Sequence, residues 1–169
     1  SPLKFASDYL CSFETVEDQF FYAWDKHKYT APVEDAGQDT LYTLHDWNKK
    51  CMAACVIQVR NEQIEVIRSY AIPDCSTEHM ARTIRADFPR RRLNAIIDMS
   101  GTQLNRDTTS PFGVTDRTIL EQYGFTIVNS RRSNPLISDT DNSSNAFIAA
   151  GRLIVDPTDT KLLEALSTY

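Results

Sequence analysis

"LHDWNKKCMAACVIQVR", running from Leu44 to Arg60, is the stretch on which the fold turns. Two apolar runs flank a short polar turn, and the first of them ends in an acid, Asp46. A charged side chain in a buried strand is costly unless a partner or a cation compensates it. Asp46 therefore demands a compensating group. The first run is "LYTLHDW" in full, and the second, "AACVIQVR", passes through the turn "RNEQ" into "QIEVIRSYAI". Three strand-like runs joined by two turns predict a meander.

Working outward, Thr77 to Phe88 reads as a helix that Ser76 or Thr77 caps and Pro89 ends. "LNAIIDMSG" (93–101) is a fourth strand, apolar on both faces and closed by an acid and a glycine. Residues 102–113 read as a long polar loop. "TDRTILEQYG" (115–124) is a helix with a threonine cap and a glycine stop, and "FTIVNS" (125–130) is a fifth strand. Residues 139–150 read as a third helix, "RLIVDP" (152–157) as a short strand and "TDTKLLEALSTY" (158–169) as a last helix. That order predicts an α/β domain of the ribonuclease-H-like type. It has a mixed sheet of five strands, or slightly more, with helices on both faces. Upstream, residues 1–40 mix the aromatic anchors Phe20, Phe21, Tyr22 and Trp24 with acids and "YTAPVEDAGQD". They read as an acidic lead-in or linker, and residues 41–169 as the domain proper.

Bulk properties narrow the function classes. A chain of 169 residues suits one domain with a real core, and 41% hydrophobic with 24% charged residues is ordinary for a globular protein. No apolar run is long enough to span a membrane and no signal peptide opens the chain. It begins Ser-Pro without a methionine, as an excised domain or a processed product would. The four cysteines (Cys11, Cys51, Cys55, Cys75) form no C-x-x-C pair. That argues against a zinc site and for a reduced, cytosolic setting, with Cys51 and Cys55 as small buried hydrophobes. Of the net charge of −5, residues 1–40 carry all, with eight acids and three lysines; the remainder balances at fifteen of each sign. This is not an obvious autonomous nucleic-acid binder.

The carboxylates carry the chemistry. In the expected order Asp46 and Asp98 lie on neighbouring central strands, where two acids repel each other. A divalent cation turns that repulsion into a site. Oxygen-only ligands select Mg²⁺ or Mn²⁺, and two such ions support in-line attack on a phosphodiester. The helix after the fifth strand offers a third acid, Asp139 or Asp141. Two residues apart on a helix is about 200°, so both cannot face the sheet well. First-turn acids also favour a helix dipole without any further role.

These residues resemble a known family. From about Leu41 onward the chain looks like the carboxy-terminal nuclease domain of the large terminase subunit of tailed bacteriophages. The matching pieces are "DWN" at 46–48, "IIDMSG" at 96–101, "YGFTIV" at 123–128, "NPLISD" at 134–139, Asn145 and "RLIVDP" at 152–157. The resemblance implies a metal-dependent endonuclease, using two Mg²⁺ or Mn²⁺, that cleaves double-stranded viral DNA concatemers during genome packaging. It assigns the acidic positions to Asp46, Asp98 and Asp139. Its implied partners are DNA, an ATPase motor domain, the small terminase subunit and the portal. Its implied location is the host cell cytoplasm. No G-x-x-x-x-G-K-[ST] loop occurs, so the motor is not in this chain.

Two departures stand out. Many members carry a Glu at the end of the third strand, where this chain has Ser69, with Glu65 expected earlier on the same strand face. Many also have an arginine after the third acid, where this chain has Thr140. "FPRRRLN" places Arg90, Arg91 and Arg92 in what reads as a solvated loop. Arg131 and Arg132 follow the carboxyl end of a strand, where sites in such sheets open, and can grip phosphates. His45 points away from Asp46's face and reads as core. Other readings are a Holliday-junction resolvase or integrase of the same fold, a catalytically silent packaging scaffold, and an actin-like ATPase. The lack of glycine-rich phosphate loops counts against the last.

Overall fold

Asn61 and Glu62 sit at φ 49° and 64° and return the chain between Arg60 and Gln63. Two left-handed residues in a two-residue loop match the right-handed twist of the strands they join. Around this hairpin the computed structural model describes residues 20–35, 37, 40–47, 51–97, 115–128 and 137–168, with the side chains of the last segment from 142 onward. In chain order the elements are α1 (Lys26–Tyr29), β1 (Leu41–Asp46), β2 (Cys51–Arg60), β3 (Gln63–Pro73), α2 (Thr77–Asp87), β4 (Leu93–Ile97), α3 (Asp116–Gln122), β5 (Phe125–Ile127), α4 (Ile137–Ala149), β6 (Leu153–Val155) and α5 (Thr160–Thr168). The expected loop at 102–113 lies outside the described residues.

The strands form one six-stranded mixed sheet in the order β5-β4-β1-β2-β3-β6. β1, β2 and β3 are the antiparallel meander, β4 and β5 add in parallel beyond β1, and β6 adds in parallel beyond β3. Period-two alternation divides the apolar residues between two faces. On one, Leu41, Val56, Leu93 and Ala95 meet Met80 and Ile84 of α2 and Leu120 of α3. On the other, Ile57, Val66 and Val155 meet Leu163 and Leu166 of α5 together with Phe21 and Trp24. Helices therefore cover both faces, as expected.

Local chemistry ends the helices where the sequence indicates. The Ser76 hydroxyl accepts from the His79 N–H and the Thr115 hydroxyl from the Thr118 N–H, each satisfying an orphan donor of a first turn. The Arg85 guanidinium donates to the carbonyls of Tyr123, Gly124 and Arg91, tying the ends of α2 and α3 to the strands that follow them.

A bulge in the hairpin corrects one expectation. Val56 pairs with Arg68 but Ile57 pairs with Val66, so Ile67 is an extra residue on β3. One extra residue flips the face of everything before it. Ser69 pairs with Cys55 on one face, while Glu65 pairs with Gln58 on the other. There Glu65 accepts from the Gln58 amide and pairs with Arg60 at 3.8 Å. Glu65 does not share a face with Ser69.

Residues 20–35 lie against the edge of the sheet. Thr30 bridges to Val155, and the Ala31 N–H donates to the Val155 carbonyl at 3.2 Å. Asp35 pairs with Arg91 at 2.8 Å, which draws Arg91 in while Arg90 and Arg92 stay exposed. The solvated-loop reading of "FPRRR" therefore fails at its middle arginine.

Candidate metal centre

Asp46 is the last residue of β1, and the structure corrects the premise that it is buried. It is exposed, with no hydrogen-bond or ion-pair partner among the described residues. The buried titratable residue of this stretch is its neighbour, His45. On the α2 face His45 stacks on Trp47 at 5.2 Å, meets Phe125 edge-on, and bonds through Nε2 to the Thr43 hydroxyl at 2.9 Å. Burial pushes its pKa down to about 4, so the ring is neutral and packs as core, as its strand position predicts.

β1 and β4 are parallel neighbours whose register runs from Leu41↔Leu93 to His45↔Ile97. The next residue of the chain after each of the last pair is an acid, Asp46 and Asp98. Asp98 itself lies outside the described residues, as do Arg131, Arg132 and the side chains of Asp139 and Asp141. Among the described residues, no three His, Cys, Asp or Glu side chains gather around a metal-sized space. The described part of the site is thus one carboxylate. Its donor chemistry fits a hard divalent cation, because the oxygens are solvated and no cation of the described protein occupies them.

Around Asp46 the face is open on one side and roofed on the other. Leu44, paired across to Ile96, is exposed along with it, leaving a shelf over β1 and β4. Over β2 and β3, α4 and α5 form a roof above a cavity of about 460 Å³ lined by Phe21, Cys55, Val66, Phe147, Ile148 and Leu162, among others. Burial, with the Asp159 carboxylate nearby, pushes the Cys55 thiol up to about 11, so it behaves as a small hydrophobe.

Ser69 lies in the row of Cys55 and Leu44, on Asp46's face. Its N–H and hydroxyl donate to Asp159 at 2.7 Å each, and Asp159 also accepts from the Leu162 N–H as the cap of α5. Asp159 thus brings a carboxylate to the side chain of Ser69. Sequence reasoning missed this contact, because "TDT" before a helix signals only a cap. Asn145 is 1% exposed on α4. Its Oδ1 accepts from the Ala23 N–H at 2.9 Å and its Nδ2 donates to the Phe20 carbonyl at 2.8 Å. Asp156 of "RLIVDP" is buried too. Burial alone would raise its carboxyl, but bonds from the Thr158 hydroxyl and from the Val33 and Thr158 N–H groups hold it below the usual carboxylate range.

No protein-family model and no curated protein matches the chain by sequence. Solved structures do match it. The large terminase nuclease domain of P22 superposes with a TM-score of 0.68 at 10% identity, over 90% of this chain and 79% of that one. The full-length large terminase of a thermophilic bacteriophage gives 0.67 at 10% identity, over 89% of this chain, which spans only 37% of that protein. The large terminase nuclease of the thermophilic phage G20c, solved with bound cobalt, gives 0.58 at 11% identity over 90% of this chain and 80% of that one. The same nuclease is also solved with magnesium and with zinc. The strand order, the parallel β1–β4 centre and these superpositions agree: the chain has the ribonuclease-H-like fold of the large-terminase nuclease domains of tailed phages.

Proposed function

We propose that this domain is a divalent-metal-dependent endonuclease that cleaves double-stranded viral DNA concatemers during genome packaging. The observation that carries the reading is Asp46. Among the described residues it is an unpartnered carboxylate at the carboxyl end of the central strand, beside a parallel strand whose next residue is Asp98. The fold is that of nucleases solved with bound divalent metals, which supports the same chemistry here.

In this reading Asp46, Asp98 and Asp139 hold two Mg²⁺ or Mn²⁺ ions, with Asp141 the alternative to Asp139. When bound, the ions offset the acids' repulsion and stabilise charge on the phosphate under attack. His45 contributes by staying neutral and packed, which fixes the end of β1 that carries Asp46. The shelf over Leu44 and Ile96 leaves room for a polymer to approach. Arg131 and Arg132 would contact its backbone phosphates. Ser69 and Asn145 are tied to Asp159 and to residues 20–23, so we assign them structural rather than ligating roles. The division at residue 40 belongs to the same reading, with 41–169 as the nuclease domain. So do an ATPase motor domain, small subunit and portal as partners, and the host cytoplasm as location.

The test is plasmid nicking with Mg²⁺, Mn²⁺ or chelator, for wild type and for Asp46→Asn. Cleavage is expected with metal and wild-type Asp46 only. Nicking that persists in chelator, or in Asp46→Asn, would refute the site.

A further inference from the structure

The roof helix α4 is held in an unusual way. Among its described side chains only Ile148 and Asn145 are buried. Ser143, Ser144, Phe147 and Ile148 line the cavity of about 460 Å³ rather than interlocking with the strands. A helix normally gains its position from an apolar stripe packed on its neighbour. Here the stripe hangs over empty space, so dispersion contacts constrain the helix weakly. At the carboxyl end the chain is pinned. Gly151, at φ 70°, donates to the Ile148 carbonyl, the Arg152 N–H donates to the Phe147 carbonyl, and the Gly151 carbonyl accepts from Gln63. Toward the amino end the described tie is Asn145. Both halves of its amide are spent on backbone groups of one turn, the Phe20 carbonyl and the Ala23 N–H. That two-point grip fixes rotation as well as distance, and at 1% exposure water cannot replace it at low cost. The turn it grips is itself fixed, since Phe21 and Trp24 pack into the core beneath and the segment continues to Val155 and Asp156.

We propose that Asn145 is a positioning residue: its clamp on residues 20–23 sets how α4 lies over the sheet, and thereby where the acid carried at the start of α4 stands relative to Asp46. The inference rests on the nuclease reading above, since it takes α4 to carry a metal ligand. Groups one step behind a ligand typically change metal affinity by roughly 10- to 100-fold when removed. The lead-in segment is on this view part of the site's scaffold.

The experiment measures Mn²⁺ affinity without DNA, from the free-ion electron paramagnetic resonance signal, with amide hydrogen exchange of α4 and melting temperature alongside. The variants are Asn145→Ala, Ala23→Pro, Arg91→Gln and Asp46→Asn, all in the whole chain. Ala23→Pro removes the N–H that Asn145 accepts and leaves the sequence of α4 intact, which keeps the test open should Asn145→Ala fail to fold. Arg91→Gln loosens the lead-in at its far end, at Asp35. Asn145→Ala and Ala23→Pro should each weaken Mn²⁺ binding about tenfold and speed exchange across residues 142–149, whereas Arg91→Gln lowers the melting temperature without changing affinity. Wild-type affinity in Asn145→Ala and Ala23→Pro, alongside weakened Asp46→Asn, would overturn the positioning role and leave the nuclease reading standing. An equal loss in Arg91→Gln would overturn it as general loosening. Unchanged affinity in Asp46→Asn would remove the nuclease reading and this inference with it.

Discussion

His45 and Asp46 are consecutive residues with opposite surroundings, and strand alternation alone separates them. His45 is buried and Asp46 exposed. The sequence identifies the acid correctly as notable but for a partly wrong reason, since the stretch buries its imidazole and leaves its carboxylate in water. A rule about the cost of burial cannot distinguish the last residue of a strand from the one before it. The imidazole has a measurable consequence. Unfolded, it binds a proton below pH about 6.5; folded, only below about 4. Stability contributed by neutral His45 is therefore complete above the unfolded value and is lost as pH falls from about 6.5 toward 4. The full loss is on the order of 3 kcal/mol. Urea midpoints at pH 7.5, 6 and 5 should fall more steeply for wild type than for His45→Phe, and parallel slopes would contradict the assignment. At Asp46 the expectation concerns activity. Asp46→Asn or Asp98→Asn should abolish metal-dependent nicking while circular dichroism stays native, and either variant should melt no lower than wild type, because repulsion between acids is relieved.

At the scale of elements, β3 and α4 mark where sequence reading reaches its limit. Strand identity, helix caps and stops were legible because they depend on neighbours a few residues away. Ser76, Thr115 and Gly124 act where the reading puts them. The bulge at Ile67 was not legible, because nothing in "QIEVIRSYAI" reveals that one residue goes unpaired until β2 lies beside it. That one residue moves Glu65 off Asp46's face. Glu65→Gln should accordingly leave Mn²⁺ affinity unchanged within about twofold and cost about 1 kcal/mol of stability through its bonds to Gln58 and Arg60. A large loss of metal binding in this variant would mean the faces are wrongly assigned. For α4 two arguments compete. A helix repeats every 3.6 residues, so position 141, four before Asn145, falls on Asn145's face and position 139 does not. The N-P-x-x-x-D spacing instead favours Asp139. On that match we expect Asp139→Ala to reduce nicking by orders of magnitude and Asp141→Ala only modestly. The reverse ranking would place the ligand on the face that Asn145 grips.

For the whole molecule, the question is how firmly so balanced a charge distribution can hold DNA. Residues 41–169 carry as many acids as Lys and Arg, and the lead-in supplies the net −5. Part of that lead-in is neutralised by docking, since Asp35 is engaged by Arg91 and Asp25 caps α1. Each phosphate contact adds to the salt dependence of binding, and a tight non-specific binder makes about six to ten of them. Arg131 and Arg132 are two, and the acids proposed for the metal site oppose the same phosphates until metal is bound. The domain should therefore bind duplex weakly, independently of sequence, and with a shallow but clear loss of affinity as salt rises. Nicking should need high enzyme concentration and go best with Mn²⁺; in a complete terminase the motor domain would raise the local DNA concentration at the site. Docking also dictates how the acidic segment is tested. Deleting residues 1–40 would strip Phe21, Trp24 and the Thr30–Val155 bridge from the sheet and confound charge with folding. Deleting residues 1–19 removes four acids and one lysine and leaves those contacts in place. Fluorescence titration of labelled duplex in about 0.15 M salt should give micromolar or weaker affinity for the whole chain and a severalfold gain for the shortened one. Nanomolar affinity of the whole chain would mean that its charges are arranged as a DNA grip despite their balance.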